Sequence, residues 1–169
     1  MALNVGDRLP EAEFLEFTGG EPRTVSSAEA FAGRVAVFGM PGAYTRTCDG
    51  AHMPSVVRSV QALRDEGVDR VVVIAVNDPF VMAAWGESSG ARAAGVRMLG
   101  DAAGAFTKAI GMDFDAPPVG FFGRSRRYGA LVEDGVVVAL GIEESRSECT
   151  MSGGEALLDA VRSHKGQAA

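Results

Sequence analysis

Two short, almost wholly apolar runs constrain the fold of this chain more than any other feature of its sequence. They are RVAVFGM at 34–40 and RVVVIAV at 70–76. Runs of this length, bounded by turn residues, are typical of strands that are buried in a parallel sheet. Between them, apolar residues from Val56 to Leu63 are spaced for one face of a helix. The pattern therefore predicts a strand, a helix and a second strand in succession.

The residues before this unit predict a hairpin and a short helix. Residues 11–17 alternate loosely and are followed by Gly19-Gly20, which is typical of an N-terminal β-hairpin. Ser26 and Glu29 have the spacing of a capping box, so we expect a helix over 27–31.

The residues after the second apolar run predict further alternation and then a second hairpin. We expect a helix over 80–88, a strand over 96–99, a helix over 102–110, strands over 127–133 and 136–140, and a final helix over 153–162. Asp134-Gly135 between the last two strands is a strong hairpin signal. The order predicts one α/β domain over 1–169, with a mixed central sheet flanked by helices in a thioredoxin-like arrangement.

Composition excludes several classes of function. The 169 residues carry a net charge of −6, so nothing favours a nucleic-acid partner. Arg124, Arg126 and Arg127 form the one local basic cluster, which is too small for such a role. No apolar run approaches the roughly 20 residues of a membrane span, and the N-terminus lacks the pattern of a secretory signal. Two cysteines are too few for a disulfide scaffold, so we expect a cytoplasmic protein with free thiols at rest.

Cys48 is the strongest candidate for a chemically active residue. It follows the first buried strand by eight residues, where a helix is expected to begin with Thr45 or Thr47 as its N-cap. In the first turn of a helix, free backbone N–H groups and the helix dipole favour a thiolate, which is the nucleophilic form of cysteine. The alternative is that Cys48 is a small buried apolar residue, which is common for free cysteines.

The wider motif distinguishes these alternatives. Pro41, Thr45 and Cys48 have the spacing P-x-x-x-T-x-x-C, and the string PGAYTRTCDGAHMP resembles the peroxiredoxin-5 subfamily of peroxiredoxins, also called type II or atypical two-Cys. Three further segments resemble this subfamily in the same order: VNDPFVMAAW at 76–85, GDAAGAFTKAIGMDFD at 100–115 and RSRRYGALVEDGVV at 124–137. The resemblance covers nearly the whole chain.

The resemblance implies an activity and a set of residue roles. It implies a thiol peroxidase that reduces hydrogen peroxide and alkyl hydroperoxides, with Cys48 as the residue oxidised to a sulfenic acid. Pro41 would then shape the pocket, Thr45 would orient the peroxide, and Arg127 would hold the thiolate and the peroxide oxygen. Arg124 would support the site from further away. The sequence alone would instead allow Arg127 to be a surface arginine on an edge strand.

The resemblance also implies partners. Thioredoxin, glutaredoxin or glutathione would recycle the enzyme, no cofactor or metal would be needed, and the chain would form a homodimer. Cys149 is the only other thiol, and it lies in the polar segment GIEESRSECTMSGG before the last helix. It is a candidate resolving cysteine, and the alternative is an unused thiol. One departure from the subfamily is Arg46, which occupies a position that is usually proline.

Some alternatives stay open at this point. His52 lies four residues after Cys48, so a zinc site with Asp49 is conceivable, although a pocket wall or a subunit contact fits His52 better. Because of Pro54, we expect the helix from Thr45 to Leu63 to be interrupted. The chain could also be a redox sensor or relay that passes oxidation to a partner, or a chaperone-like protein with incidental cysteine oxidation.

Overall fold

A seven-stranded mixed sheet forms the centre of the computed structural model, which describes residues 2–168. The predicted domain, 1–169, extends beyond this range by one residue at each end. The strands are β1 Glu13–Thr18, β2 Glu21–Ser26, β3 Arg34–Met40, β4 Arg70–Ala75, β5 Val96–Gly100, β6 Asp113–Ala116, β7 Phe121–Ser125, β8 Tyr128–Glu133 and β9 Val136–Ile142. The α-helices are α1 Ser27–Ala30, α2 Met53–Asp65, α3 Pro79–Ser88, α4 Ala105–Ala109 and α5 Gly154–Ala168.

The order of strands in the sheet is β2-β1-β5-β4-β3-β8-β9. The three central strands, β3, β4 and β5, are parallel, and the hairpins β1–β2 and β8–β9 extend the sheet antiparallel on its two sides. The predicted thioredoxin-like α/β fold with an N-terminal hairpin is therefore confirmed.

Alternate residues of β3 enter the two apolar cores that cover the faces of the sheet, as the pleat of a strand requires. Phe38 and Met40 belong to the core that also contains residues of α2, α3 and α5. Val35 and Val37 belong to the opposite core, which contains residues of β1, α1's end and α4. Because β3 is covered on both faces, its sequence is apolar almost throughout.

Local sequence signals predicted several details of the boundaries. Ser26 Oγ accepts a hydrogen bond from the Glu29 amide at 3.1 Å and so caps α1 as expected. Asp134 and Gly135 have φ angles of 45° and 81°, the left-handed conformation that a tight hairpin turn needs. Helix α4 is shorter and α5 is longer than predicted.

The hairpin β6–β7 was not predicted from the sequence. It forms a separate two-stranded sheet, its register shifts at a bulge, and a short 3₁₀ turn over Pro117–Val119 joins its strands. These features leave no regular alternation of apolar residues for a sequence pattern to detect. Within residues 2–168, no helix combines the length and apolar character needed to span a bilayer.

Candidate active site

The loop after β3 delivers Cys48 to the carboxyl end of the parallel strands. Pro41 and Gly42 end β3, and the side-chain oxygen of Asn77, which follows β4, accepts a hydrogen bond from the Ala43 amide at 2.9 Å. Tyr44 then adopts a φ of 60°, which reverses the chain into a helical segment that begins at Arg46. Asn77, which follows β4, thus stabilises the loop that follows the neighbouring strand β3.

Cys48 begins a single π-helical turn, Cys48–His52, that leads directly into α2. The Met53 amide donates to the Cys48 carbonyl, a bond across five residues rather than four. The wider turn accommodates Pro54, which has no N–H to donate and would crowd a regular α-helix. The expected interruption at Pro54 therefore takes the form of a π turn, and the helical path itself continues from Arg46 to Asp65.

Neither threonine predicted as the N-cap of this helix makes a side-chain capping bond. The Thr45 hydroxyl donates to the Gly42 carbonyl at 2.8 Å, and Thr47 has no side-chain capping bond. The Asp49 amide bonds to the Thr45 carbonyl at 2.8 Å, which places the Cys48 amide in the first turn as predicted. The Thr45 hydroxyl closes the loop through its proton, and within the described residues no helix amide donates to its oxygen.

Arg127 lies beside the sulfur because of strand pairing. Strand β8 runs antiparallel to β3 with Tyr128 opposite Gly39, so Arg127, which precedes β8, lies at the end of β3 next to the Cys48 loop. Its Nη2 donates to Cys48 Sγ at 3.3 Å and to the Arg146 carbonyl at 3.0 Å. Cys48 and Arg127 are both buried.

His52 orients the other side of the same guanidinium. Its Nδ1 accepts from Arg127 Nη1 at 2.9 Å, and its Nε2 is 2.8 Å from the Ser152 carbonyl. A carbonyl only accepts and a guanidinium only donates, so the ring must carry its proton on Nε2 and be neutral. Burial, followed by the Arg127 cation, lowers the pKa of His52 to about 3, in agreement with this assignment.

Both ring nitrogens of His52 are therefore occupied by protein partners, and the conceivable zinc site with Cys48 and Asp49 does not fit. The Asp49 carboxylate instead accepts a hydrogen bond from Trp85 Nε1 at 2.7 Å. Within residues 2–168, no group of three or more His, Cys, Asp or Glu residues could hold a metal ion.

Glu143 fastens the Cys149 segment to the site, and sequence patterns did not single it out. This buried carboxylate, at the end of β9, accepts hydrogen bonds from the amides of Met151 and Ser152 at 2.6 and 2.8 Å. Despite desolvation, which acts to raise it, the pKa of Glu143 is lowered by these bonds. Ser152 also supplies the carbonyl that holds His52, so one carboxylate positions the residue that orients Arg127 through His52.

Cys149 lies in this segment as a half-buried free thiol. Burial raises its pKa, and the nearby Arg127 cation partly opposes that effect. A Cβ atom built on Gly153 would lie 3.5 Å from Cys149 Sγ and 2.9 Å from Ser55 Oγ, so the start of α5 packs closely against the thiol. Cys48 is also a free thiol, so the two cysteines are not joined.

An open cavity of about 400 Å³ lies against the Cys48 loop. Cys48 itself is fully buried behind its lining residues, which are Pro41, Thr45, Arg46, Thr47, Val119, Phe121, Arg127, Arg146 and Ser147. The cavity thus brings together Pro41, Thr45 and Arg127, the three residues that the resemblance associated with Cys48.

The other two arginines of the basic cluster have different surroundings. Arg124 Nη1 donates to the Pro41 carbonyl at 3.3 Å, and its guanidinium lies 5.3 Å from the centre of the Phe121 ring. It therefore contacts the loop that carries Cys48 through the backbone of Pro41. Arg126 lines a second cavity of about 240 Å³, on the side of Arg127 that faces Glu143.

Comparison with known proteins agrees with the geometry of this site. The model of the Redoxin family matches residues 4–158. The chain is 44% identical over 160 residues to "Peroxiredoxin-2E-2, chloroplastic" of Oryza sativa subsp. japonica, covering 92% of this chain and 71% of the relative.

Two solved structures are similar over almost their whole length. Reduced Prx3 of Vibrio vulnificus in complex with H₂O₂ is 37% identical, with a TM-score of 0.86 over 94% of this chain and 99% of that one. Peroxiredoxin 5 of Alvinella pompejana is 30% identical, with a TM-score of 0.81 over 95% and 99% of the two chains.

Proposed function

This chain belongs to the Redoxin family as a type II peroxiredoxin, a thiol peroxidase with peroxidatic Cys48 beside Arg127, and on this basis we propose the course of its reaction and its partners. We propose that it reduces hydrogen peroxide and alkyl hydroperoxides and that Cys149 resolves the oxidised Cys48. The observation that most directly supports the proposed reaction of Cys48 with peroxides is the 3.3 Å bond from Arg127 Nη2 to Cys48 Sγ. A guanidinium is always charged, so it favours the thiolate that attacks.

In the first step the Cys48 thiolate attacks the terminal oxygen of the peroxide. A sulfur–oxygen bond forms while the O–O bond breaks, the sulfur loses two electrons and becomes a sulfenic acid, and the other oxygen leaves as an alkoxide or hydroxide that takes up a proton. Negative charge moves from the sulfur to the leaving oxygen. Arg127 is fixed by His52 and the Arg146 carbonyl, so its donors need no rearrangement to stabilise that charge.

Thr45 and Pro41 are proposed to position the peroxide. Because the Thr45 hydroxyl donates its proton to Gly42, its oxygen is free to accept a hydrogen bond from the O–H of the peroxide. The buried Pro41 forms a rigid apolar wall of the cavity, and Arg124 holds its carbonyl. We propose that the peroxide enters past Thr45 and Arg127, since Cys48 has no exposed surface of its own.

In the second step Cys149 is proposed to attack the sulfenic sulfur. A disulfide forms between the two cysteines, the hydroxyl of the sulfenic acid leaves, and it becomes water with the proton of the Cys149 thiol. The Cα atoms of the two residues must come within about 7 Å for this bond. The Cys149 segment already touches the site through the Arg146 carbonyl and Ser147, and release of the Glu143 bonds would let it move.

The proposed partners follow from this cycle. An external thiol system, namely thioredoxin, glutaredoxin or glutathione, would reduce the disulfide in the cytoplasm. We also propose a homodimer through the face that bears the active-site loops. Tyr44, Phe80 and Phe122 are 51%, 59% and 65% exposed, and we propose that the second copy covers them.

The experiment that tests the cycle is the intact mass of the reduced protein after one equivalent of hydrogen peroxide. We expect a loss of two hydrogens and a chain that stays monomeric under denaturing, non-reducing conditions. A gain of oxygen or a covalent dimer would replace the intramolecular cycle with a one-cysteine or intermolecular one. An unchanged mass would refute the peroxidase mechanism. Cys149→Ser is the matched variant, which should stop at the sulfenic acid.

Turnover separates this proposal from a sensor or relay. Fast single oxidation of Cys48 followed by slow recycling with all three thiol systems would favour transfer of oxidation to a partner protein. We expect multiple turnovers with at least one of these systems, and Cys48→Ser should abolish them.

A further inference from the structure

The cavity beside Cys48 has a cationic mouth, although one of its arginines, Arg146, also lines the second cavity, where Glu143 and Glu144 lie. The exposed side chains of Arg46 and Arg146 line it together with the buried Arg127. No aspartate or glutamate is among its lining residues. In the part of the chain that the structure describes, neither Arg46 nor Arg146 forms an ion pair.

Two guanidinium groups at one opening contrast with the overall charge of this protein, which has 22 acidic and 16 basic residues. Six arginines are paired with carboxylates: Arg23, Arg34, Arg58, Arg92, Arg97 and Arg162. What distinguishes Arg46 and Arg146 from the other arginines without an ion pair among the described residues is that both line the cavity beside Cys48. Two unpaired cations at one opening create a local positive potential in an otherwise acidic molecule, and this potential attracts anions. A guanidinium also matches the geometry of a carboxylate with two parallel hydrogen bonds.

The same cavity offers apolar surface beside these charges. Its wall includes Pro41, Phe121 and Val119, and Val119 is 53% exposed. A volume of about 400 Å³ lies in the size class of sites for small organic ligands, and hydrogen peroxide would fill only a small part of it. Apolar carbon next to two cations fits a ligand with a hydrocarbon body and a carboxylate.

We propose that this cavity is a subsite for organic hydroperoxides that carry a carboxylate. Arg46 and Arg146 bind the carboxylate, and the hydrocarbon body lies against Phe121 and Val119 while the O–O group reaches Cys48. The inference rests on the peroxidase function proposed above and names its substrate class. The chemistry is unchanged: the sulfur takes the terminal oxygen, and the remainder leaves as the corresponding hydroxy acid in its carboxylate form.

An anionic thiol that acts as the reductant would present the same carboxylate chemistry. The apolar wall favours the hydroperoxide, because a small polar thiol gains little from Phe121 and Val119. The two sources act in different half-reactions, so oxidation measured without any reductant separates them.

The test uses cumene hydroperoxide and its para-carboxylate derivative, which differ in a single charged group. Fully reduced protein is mixed with each peroxide in a stopped-flow instrument without reductant, and oxidation of Cys48 is followed by Trp85 fluorescence and confirmed by intact mass. The readout is the ratio of the two rate constants, carboxylate over neutral, which cancels general effects of a variant on the sulfur. Hydrogen peroxide is measured separately as the test of the peroxidase function itself.

We expect the carboxylate to react about tenfold faster in the unmodified protein, as two charge-assisted contacts near a surface predict. Arg46→Gln and Arg146→Gln should each lower the ratio about threefold, and the double variant should bring it near one. High salt should lower it as well. Arg64→Gln, which removes an exposed arginine next to Gly95 at the amino end of β5, is the matched control and should leave the ratio unchanged.

Three results would overturn the proposal. The first is a ratio near one in the unmodified protein, and the second is a preference that survives the double variant. The third is a ratio that is the same in the variants and in the unmodified protein, combined with slower reduction of the variants by glutathione. This result would assign the cations to the reductant. If hydrogen peroxide itself leaves the mass of the protein unchanged, the peroxidase function fails, and the substrate class fails with it for that separate reason.

Discussion

Lowering the pH from 7 to 5 should destabilise this protein through one buried side chain, His52. Burial and the neighbouring Arg127 cation lower the pKa of His52 from 6.5 to about 3 in the folded state. In the unfolded chain the imidazole keeps its ordinary value, so the unfolded state binds more protons than the native state below about pH 6.5. The free energy of unfolding must therefore fall as the pH falls through this window.

The size of the effect follows from the same shift. Each pH unit between the two pKa values costs about 1.4 kcal/mol, so the step from pH 7 to pH 5 should remove about 2 kcal/mol. The window ends at pH 5 because the carboxyl groups, including Glu29 with its pKa lowered to about 2 and Glu143, stay largely ionised above it in both states. Their stabilisation is lost only at lower pH.

Urea denaturation under reducing conditions, followed by Trp85 fluorescence, measures this loss. The variant His52→Gln retains an amide that can donate to the Ser152 carbonyl but does not titrate. Its stability should change by less than about 0.5 kcal/mol between pH 7 and pH 5. His164→Gln removes the other histidine and should show the same loss as the unmodified protein. An equal loss in His52→Gln, or a His52 ring that titrates near 6.5 by NMR, would refute the reasoning.

Three further predictions concern the groups around Arg127. Arg127→Lys keeps the charge but loses the forked donors, so oxidation of the peroxidatic cysteine by hydrogen peroxide should slow by about a hundredfold in stopped flow, and an unchanged rate would remove Arg127 from the mechanism. Glu143→Gln should cost about 1.5–3 kcal/mol by urea denaturation and speed hydrogen exchange of the Ser152 amide, whereas unaltered exchange would show that the carboxylate does not fasten the segment. A Cβ at Gly129 would lie 2.7 Å from the Ser152 carbonyl oxygen, so Gly129→Ala should lower stability by about 1–3 kcal/mol. Gly50→Ala is its control, since a Cβ there meets nothing within 4 Å, and equal effects of the two substitutions would contradict the packing argument.

Local patterns predicted most of the fold because most of its elements carry their own signals. Strand β3 has the predicted bounds, since an apolar run covered on both faces has no other stable placement. The turn at Asp134-Gly135 follows from the left-handed conformation that these residue types tolerate. Hairpin β6–β7 lacks such a signal because its pairing is irregular, and it was missed.

Some features of the active site could likewise be predicted from the sequence, and others could not. The position of Cys48 between a strand and a helix could be predicted from neighbouring residues, and the motif with Pro41 and Thr45 identified the chemistry. Arg127 could be assigned only through the resemblance, because its contact with the sulfur spans 79 residues of chain. Sequence patterns did not single out Glu143, and only the structure shows that its carboxylate holds the segment of Cys149.

The sequence by itself determined the order of most strands and helices, the turn at Asp134-Gly135 and the position of Cys48 between a strand and a helix, because these depend on residues close together along the chain. The tertiary structure alone decided the neutral state of His52 and the network that joins it to Arg127 and Ser152. It also decided where unpaired arginines meet an apolar wall. Such features arise when β8 pairs with β3 and the segment before α5 folds over the sulfur, and their donors and acceptors are matched in space rather than along the chain.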